Sequence, residues 1–223
     1  MEIISGVNSH TTQANKVLKN TYMLLAVSLL PTLLGAWIGV ETGIMKSMGT
    51  LMTFIVFLVG AFGLMYLVEK NKNSAVGIGF LLAFTGFMGL MSSNLIGSIL
   101  GMKNGADLIM MAFGGTATIF AAMYFLATTI KRDLSSMGKF LFIGVIMLIV
   151  ASIANIFLQS SVLMIVLSLL AMGIFSAFLM YDINRILTGG ETNYISATLA
   201  IYLDVFNIFT NLLSLLGIWG GDD

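Results

Sequence analysis

The stretch FLFIGVIMLIVASIANIFL, residues 140–158, carries no charged side chain, and its length decides the fold class. A helix needs about 20 mostly apolar residues to cross a bilayer. Six more stretches of this kind occur, at 21–40, 48–68, 75–100, 108–130, 162–184 and 194–218. All are far longer than the roughly ten-residue alternating segments of a membrane barrel strand. The sequence therefore reads as all-α, a seven-transmembrane-helix bundle. The largest remainder is the N-terminal tail, residues 1–20, which leaves no room for a separate soluble domain. The expected organisation is a short cytosolic tail, 1–20, and one membrane domain, 21–223. The polar run from Asn8 to Asn20 has no small-residue cleavage site, so the first span reads as a membrane helix and not as a removed signal.

Composition agrees. Apolar residues make up 58% of the chain and charged residues only 9%, against about 25% in soluble domains. Basic and acidic residues number 10 each, so no cationic surface is available for nucleic acid. Cysteine is absent, and the single histidine, His10, cannot by itself build a metal cluster. A retinal pigment is excluded because the last span has no lysine.

Basic residues set the expected orientation. Lys16, Lys19, Lys70, Lys72, Lys131, Arg132, Lys139 and Arg185 fall on one side, and Lys46 and Lys103 on the other, which also ends in Asp222 and Asp223. That bias places the N-terminus in the cytoplasm and the C-terminus outside. Gly35 and Gly39, Gly97 and Gly101, and Gly86 with Gly89 mark close helix approaches. Pro31 is expected to kink the first span.

Two charges lie inside spans: Asp182 in the sixth and Asp204 in the seventh. An ionised carboxylate at the bilayer centre costs at least about 2.5–3.5 kcal/mol, so such residues face protein or water and mark ion or proton paths. Steps of three and four residues around Asp204 meet Asn193, Ala197, Ala200, Asn207, Asn211 and Ser214, a polar or small stripe. Ser152 and Asn155 in the fifth span, and Thr85, Ser92, Ser93 and Asn94 in the third, extend the polar set. Arg185, three residues beyond Asp182, offers it a plain helix-end ion pair. Asp204 has no basic residue within seven positions. Two carboxylates brought together would share a proton or hold a cation. Calcium takes 6–8 oxygens, so amides, carbonyls or water must complete its shell. The candidate ion-binding and gating residues are thus Asp182 and Asp204, supported by Arg185, Asn207, Asn211 and Asn155. No cofactor is expected beyond bound calcium. Thr188-Gly189-Gly190 suits a helix C-cap and Thr192-Asn193 an N-cap, making the last two spans a tight hairpin.

Tyr181-Asp182, the run from Gly189 to Ile195, Ala197-Thr198-Leu199, Leu203-Asp204 and Asn207-Ile208-Phe209 resemble the Bax inhibitor-1 family. Asn20-Thr21-Tyr22, Ala83-Phe84-Thr85-Gly86, Phe113-Gly114-Gly115-Thr116 and Asn155-Ile156-Phe157-Leu158 extend the resemblance over nearly the whole chain. It implies a seven-helix bundle and, as in several members, a calcium leak gated by pH through aspartates at the positions of Asp182 and Asp204. Some members have an arginine latch at the cytoplasmic end of the second helix. Here that region reads Glu69-Lys70-Asn71-Lys72-Asn73, so only Lys70 or Lys72 can stand in for it. Within the family the chain resembles a bacterial inner-membrane branch that modulates a membrane-anchored AAA protease. The expected partners are therefore the lipid bilayer, calcium or protons, and such a protease. Enzymatic activity is not expected. An intramembrane aspartyl protease would need small residues before its second aspartate, where this chain has Ile201-Tyr202-Leu203.

Overall fold

A computed structural model describes residues 2–130 and 132–220, with side chains from Thr12 onward. Lys131, Asp222, Asp223 and the His10 side chain, used above in the charge and metal arguments, lie outside the described residues. Eight helices follow one another: α1 (Glu2–Thr42), α2 (Ile44–Ser47), α3 (Gly49–Lys70), α4 (Ala75–Leu100), α5 (Gly105–Thr129), α6 (Ser135–Leu158), α7 (Ser161–Leu187) and α8 (Tyr194–Gly220). Among the described residues there is no strand, and seven helices are long and apolar enough to cross a membrane.

The chain divides into two units. The first holds α1–α4 and residues 191–199, the start of α8. The second holds α5–α7 and α8 from Ala200 onward.

In the first unit α4 packs against both α1 and α3. The paired glycines explain how closely. A Cβ on Gly35 would strike the Gly86 carbonyl, one on Gly89 would strike the Thr32 carbonyl, and one on Gly39 would meet the Ser93 side chain. Only hydrogen fits at these contacts; Gly35 and Gly89 bring backbone against backbone, whereas Gly97 and Gly101 make no such close approach to another helix. Helix α1 runs on through Pro31. It also reaches back to Glu2, so the expected tail is a continuation of the first helix. Ala14, Val17, Leu18, Thr21, Leu24, Leu25 and Ser28 are all buried. That three-and-four spacing gives the helix a buried face before the long apolar run begins.

The start of α8 is held by Asn193. Its Oδ1 accepts from the Ile195 and Ser196 amides at 2.9 and 3.2 Å, the expected N-cap. Its Nδ2 donates to the Lys72 carbonyl at 3.0 Å and to Asn73 Oδ1 at 2.8 Å, tying the α3–α4 turn to this segment. Asn193→Ala is expected to cost about 1–3 kcal/mol, the sum of a lost cap and lost hydrogen bonds. Asn193→Asp, which keeps the cap oxygen, should recover part of that loss. Thermal unfolding of the purified protein in detergent measures both.

In the second unit α7 packs against α5 and α6. Its C-terminus closes as a double-bonded turn. Gly190 N donates to Arg185 O at 2.8 Å and Gly189 N to Ile186 O at 3.2 Å, with Gly189 at φ +79°. The expected C-cap at residues 188–190 is therefore present, and glycine supplies its left-handed residue.

Candidate ion-binding site

Asp182 sits five residues before the end of α7, and Asp204 ten residues into α8. On ideal helices these positions differ in depth by about 7 Å, at 1.5 Å per residue. The second unit closes that gap: the Asp182 carboxyl lies near enough to Asp204 for the two groups to interact. Both are buried, at 8% and 4% exposure. Asp204 is flanked along α8 by Ile201, Tyr202 and Ile208, each at most 1% exposed. Its Oδ2 is buried with no hydrogen-bond partner. A buried polar atom left without a partner is uncommon and costly, and a bound ion or water is one way to satisfy it.

Arg185 takes the place its spacing predicts. Its Nη1 stands 3.6 Å from Asp182 Oδ1, and its guanidinium lies over the Tyr181 ring at 5.6 Å. The guanidinium offsets part of the charge that two ionised aspartates would carry. Tyr181 is itself seated by Gly138 of α6, where any Cβ would stand 2.6 Å from the tyrosine hydroxyl.

The amides on α8 are committed in part. Asn207 Nδ2 donates to Leu203 O and Asn211 Nδ2 to Asn207 O, each at 2.8 Å. Those bonds fold both side chains back along their own helix and use only the N–H side, keeping each amide oxygen as an acceptor. Asn155 does not join this group. Its Oδ1 accepts from Ser160 N at 3.1 Å, in the α6–α7 turn where Gln159 takes φ 50°. That turn precedes Asp182 by most of α7, about 30 Å along the helix axis. Asn155 is thus placed in the turn at the far end of α7, away from the aspartates.

Lys72, a candidate latch, is held by Glu69 at 3.0 Å. The Glu69 hydrogen bond raises the Lys72 pKa, so the lysine stays charged within its own turn. Lys70 lies over the Tyr66 ring at 5.9 Å.

One residue escaped the sequence reading. Asn184, 1% exposed, donates to the carbonyls of Ile130 and Arg132 at 3.2 and 3.1 Å and accepts from the Leu134 amide at 3.2 Å. It staples the α5–α6 loop to α7 two residues from Asp182. The signal was a third polar residue in Tyr181-Asp182-Ile183-Asn184, hidden because its partners are backbone groups 50 or more positions away. Asn184→Leu is expected to speed hydrogen exchange of the Leu134 amide by about tenfold, the worth of one lost hydrogen bond. Mass-resolved exchange over residues 130–135 reads it directly.

The model of the family described as "Inhibitor of apoptosis-promoting Bax1" matches residues 14–221. The chain belongs to the Bax inhibitor-1 family. Among its relatives, an uncharacterised membrane protein of Vibrio cholerae is 38% identical over 96% of this chain and 94% of its own length. The Escherichia coli protein named "Modulator of FtsH protease YccA" is 36% identical over 99% of both chains. A Pseudomonas aeruginosa protein is 35% identical over 95% of this chain. Together with the seven apolar helices, these relatives make this Bax inhibitor-1 member a multi-pass protein of the bacterial inner membrane.

Proposed function

We propose that this protein is a pH-responsive cation leak, with calcium as its ion and Asp182 and Asp204 as the gating pair. The observation that carries the reading is the buried Asp204 carboxyl, one oxygen unpartnered, within reach of Asp182. Like charges at this range cannot both ionise cheaply. With one proton between them the carboxyls close on each other as a hydrogen-bonded pair. When that proton leaves, the site gains a negative charge that Arg185 only partly offsets, and a cation is drawn in. No group of three or more acidic or histidine side chains exists among the described residues. Amide or backbone oxygens or water would have to complete the shell of a calcium ion passing the pair. The basic-residue bias supports a cytoplasmic N-terminus.

The test is calcium entry into proteoliposomes containing an indicator dye, at several pH values. Flux that rises as pH rises supports the reading, and flux indifferent to pH defeats it.

A second reading is favoured by the Escherichia coli relative, whose name states that it modulates the FtsH protease. On this reading the protein is a partner or slow substrate of a membrane-anchored AAA protease, engaged through its N-terminal segment. Deleting about the first 15 residues should then abolish co-purification with the protease. Regulation that survives in the double aspartate-to-asparagine variant would separate this role from ion flux. The two roles are compatible.

A further inference from the structure

A second site lies in the first unit, away from the aspartates, in a cleft of about 450 Å³ where α2, α3 and α4 meet. We infer that it binds the headgroup and upper acyl chain of an anionic phospholipid.

The lining changes character with depth. Lys46 stands on the short α2, outside the two flanking spans, and Thr50 is the second residue of α3. Phe54 and Phe57 follow on α3 at about 7 and 12 Å below its start, at 1.5 Å per residue. On the facing helix Asn94 and Met91 lie about 9 and 13 Å below the end of α4 by the same measure. The cleft thus begins with an ammonium and a hydroxyl and ends on aromatic and thioether surface, with the Asn94 amide at the depth of the rings. A phosphodiester with a hydrocarbon chain has the same order of groups.

Lys46 is available for such a ligand. Among the described residues no carboxylate, Glu41 included, forms an ion pair with it; the ion pairs present are Lys72–Glu69 and Arg185–Asp182. Its position is built and not incidental. Thr53 Oγ1 donates to Met45 O at 3.2 Å and to Gly49 O at 2.8 Å, and Met45 is 3% exposed, so the residue before Lys46 is anchored to α3. Gly43 and Gly49, at φ +61° and +72°, allow the chain to turn into and out of α2. A basic group beside a cleft between membrane helices attracts an anionic headgroup electrostatically, at about 1 kcal/mol per lysine near the surface.

Native mass spectrometry of the full chain in neutral detergent, titrated with phosphatidylglycerol, phosphatidylcholine or inorganic phosphate, tests the inference. Phosphatidylglycerol should bind most tightly. Lys46→Glu should weaken it by about five- to tenfold, as expected for one basic contact near an anionic headgroup. Lys46→Arg should retain binding, and Lys139→Glu on α6 should leave it unchanged. A photoreactive acyl chain should cross-link within residues 54–57 and at Met91. Equal binding by Lys46→Glu would overturn the site, as would equal affinity for phosphatidylcholine. Tight binding of phosphate alone would assign the cleft to a free anion and overturn the lipid. Cross-links confined to other helices would place the lipid elsewhere, even if the lysine variant failed to fold.

Discussion

Asp204→Asn is expected to flatten the pH profile of calcium flux and to lower flux at alkaline pH by at least about tenfold, the factor that about 1.4 kcal/mol of lost attraction represents. The change is nearly isosteric. Its amide can donate to the Asp182 carboxylate at every pH, so the pair stays in the arrangement that a shared proton gives only transiently. A cation then meets one carboxylate already paired with Arg185 at 3.6 Å instead of two. Because one Asp204 oxygen has no partner and the new amide can donate to Asp182, the fold should lose little, and the thermal midpoint should hold or rise. Flux in liposomes and unfolding in detergent must be measured on the same preparation. Unaltered flux would remove Asp204 from the gate; a collapsed midpoint would make it a structural residue.

The largest effect on stability is expected at the α1–α4 seam. Gly35→Val and Gly89→Val each force a side chain against backbone, the Gly86 and Thr32 carbonyls respectively. Backbone cannot rotate aside as a side-chain tip can, so the helices must separate. Overpacking costs typically about 1–3 kcal/mol, and lost contact along the seam adds to it. Gly79→Ala on the same α4 is the control: a Cβ there meets nothing within 4 Å. It should leave stability unchanged or raise it by up to about 1 kcal/mol through helix propensity. Thermal midpoints of the three variants decide the matter. Equal midpoints across them would mean that the seam contributes no stability.

The spans, the glycine seam, the Asp182–Arg185 pair and both caps around residues 188–193 were legible because each is a local or periodic property. Length against bilayer thickness identifies a span. Three-and-four spacing identifies a face, and glycine or asparagine at a helix end identifies a cap. Side-chain polarity alone did not show what Asn155 bonds to, because an asparagine serves equally well in a gate or a turn. The buried face of Ala14, Val17, Leu18 and Thr21 was overlooked for the opposite reason, being diluted among polar neighbours.

From residues alone came the membrane, the helices and the two acids that hydrocarbon would not tolerate unpaired. Whether those acids meet depends on how α7 and α8 are rotated and slid against each other, which no linear spacing encodes. Tertiary contacts brought Asp182 within reach of Asp204 and left one oxygen unpaired. They also stapled the α5–α6 loop beside the pair through Asn184, whose partners are backbone groups that any residue carries.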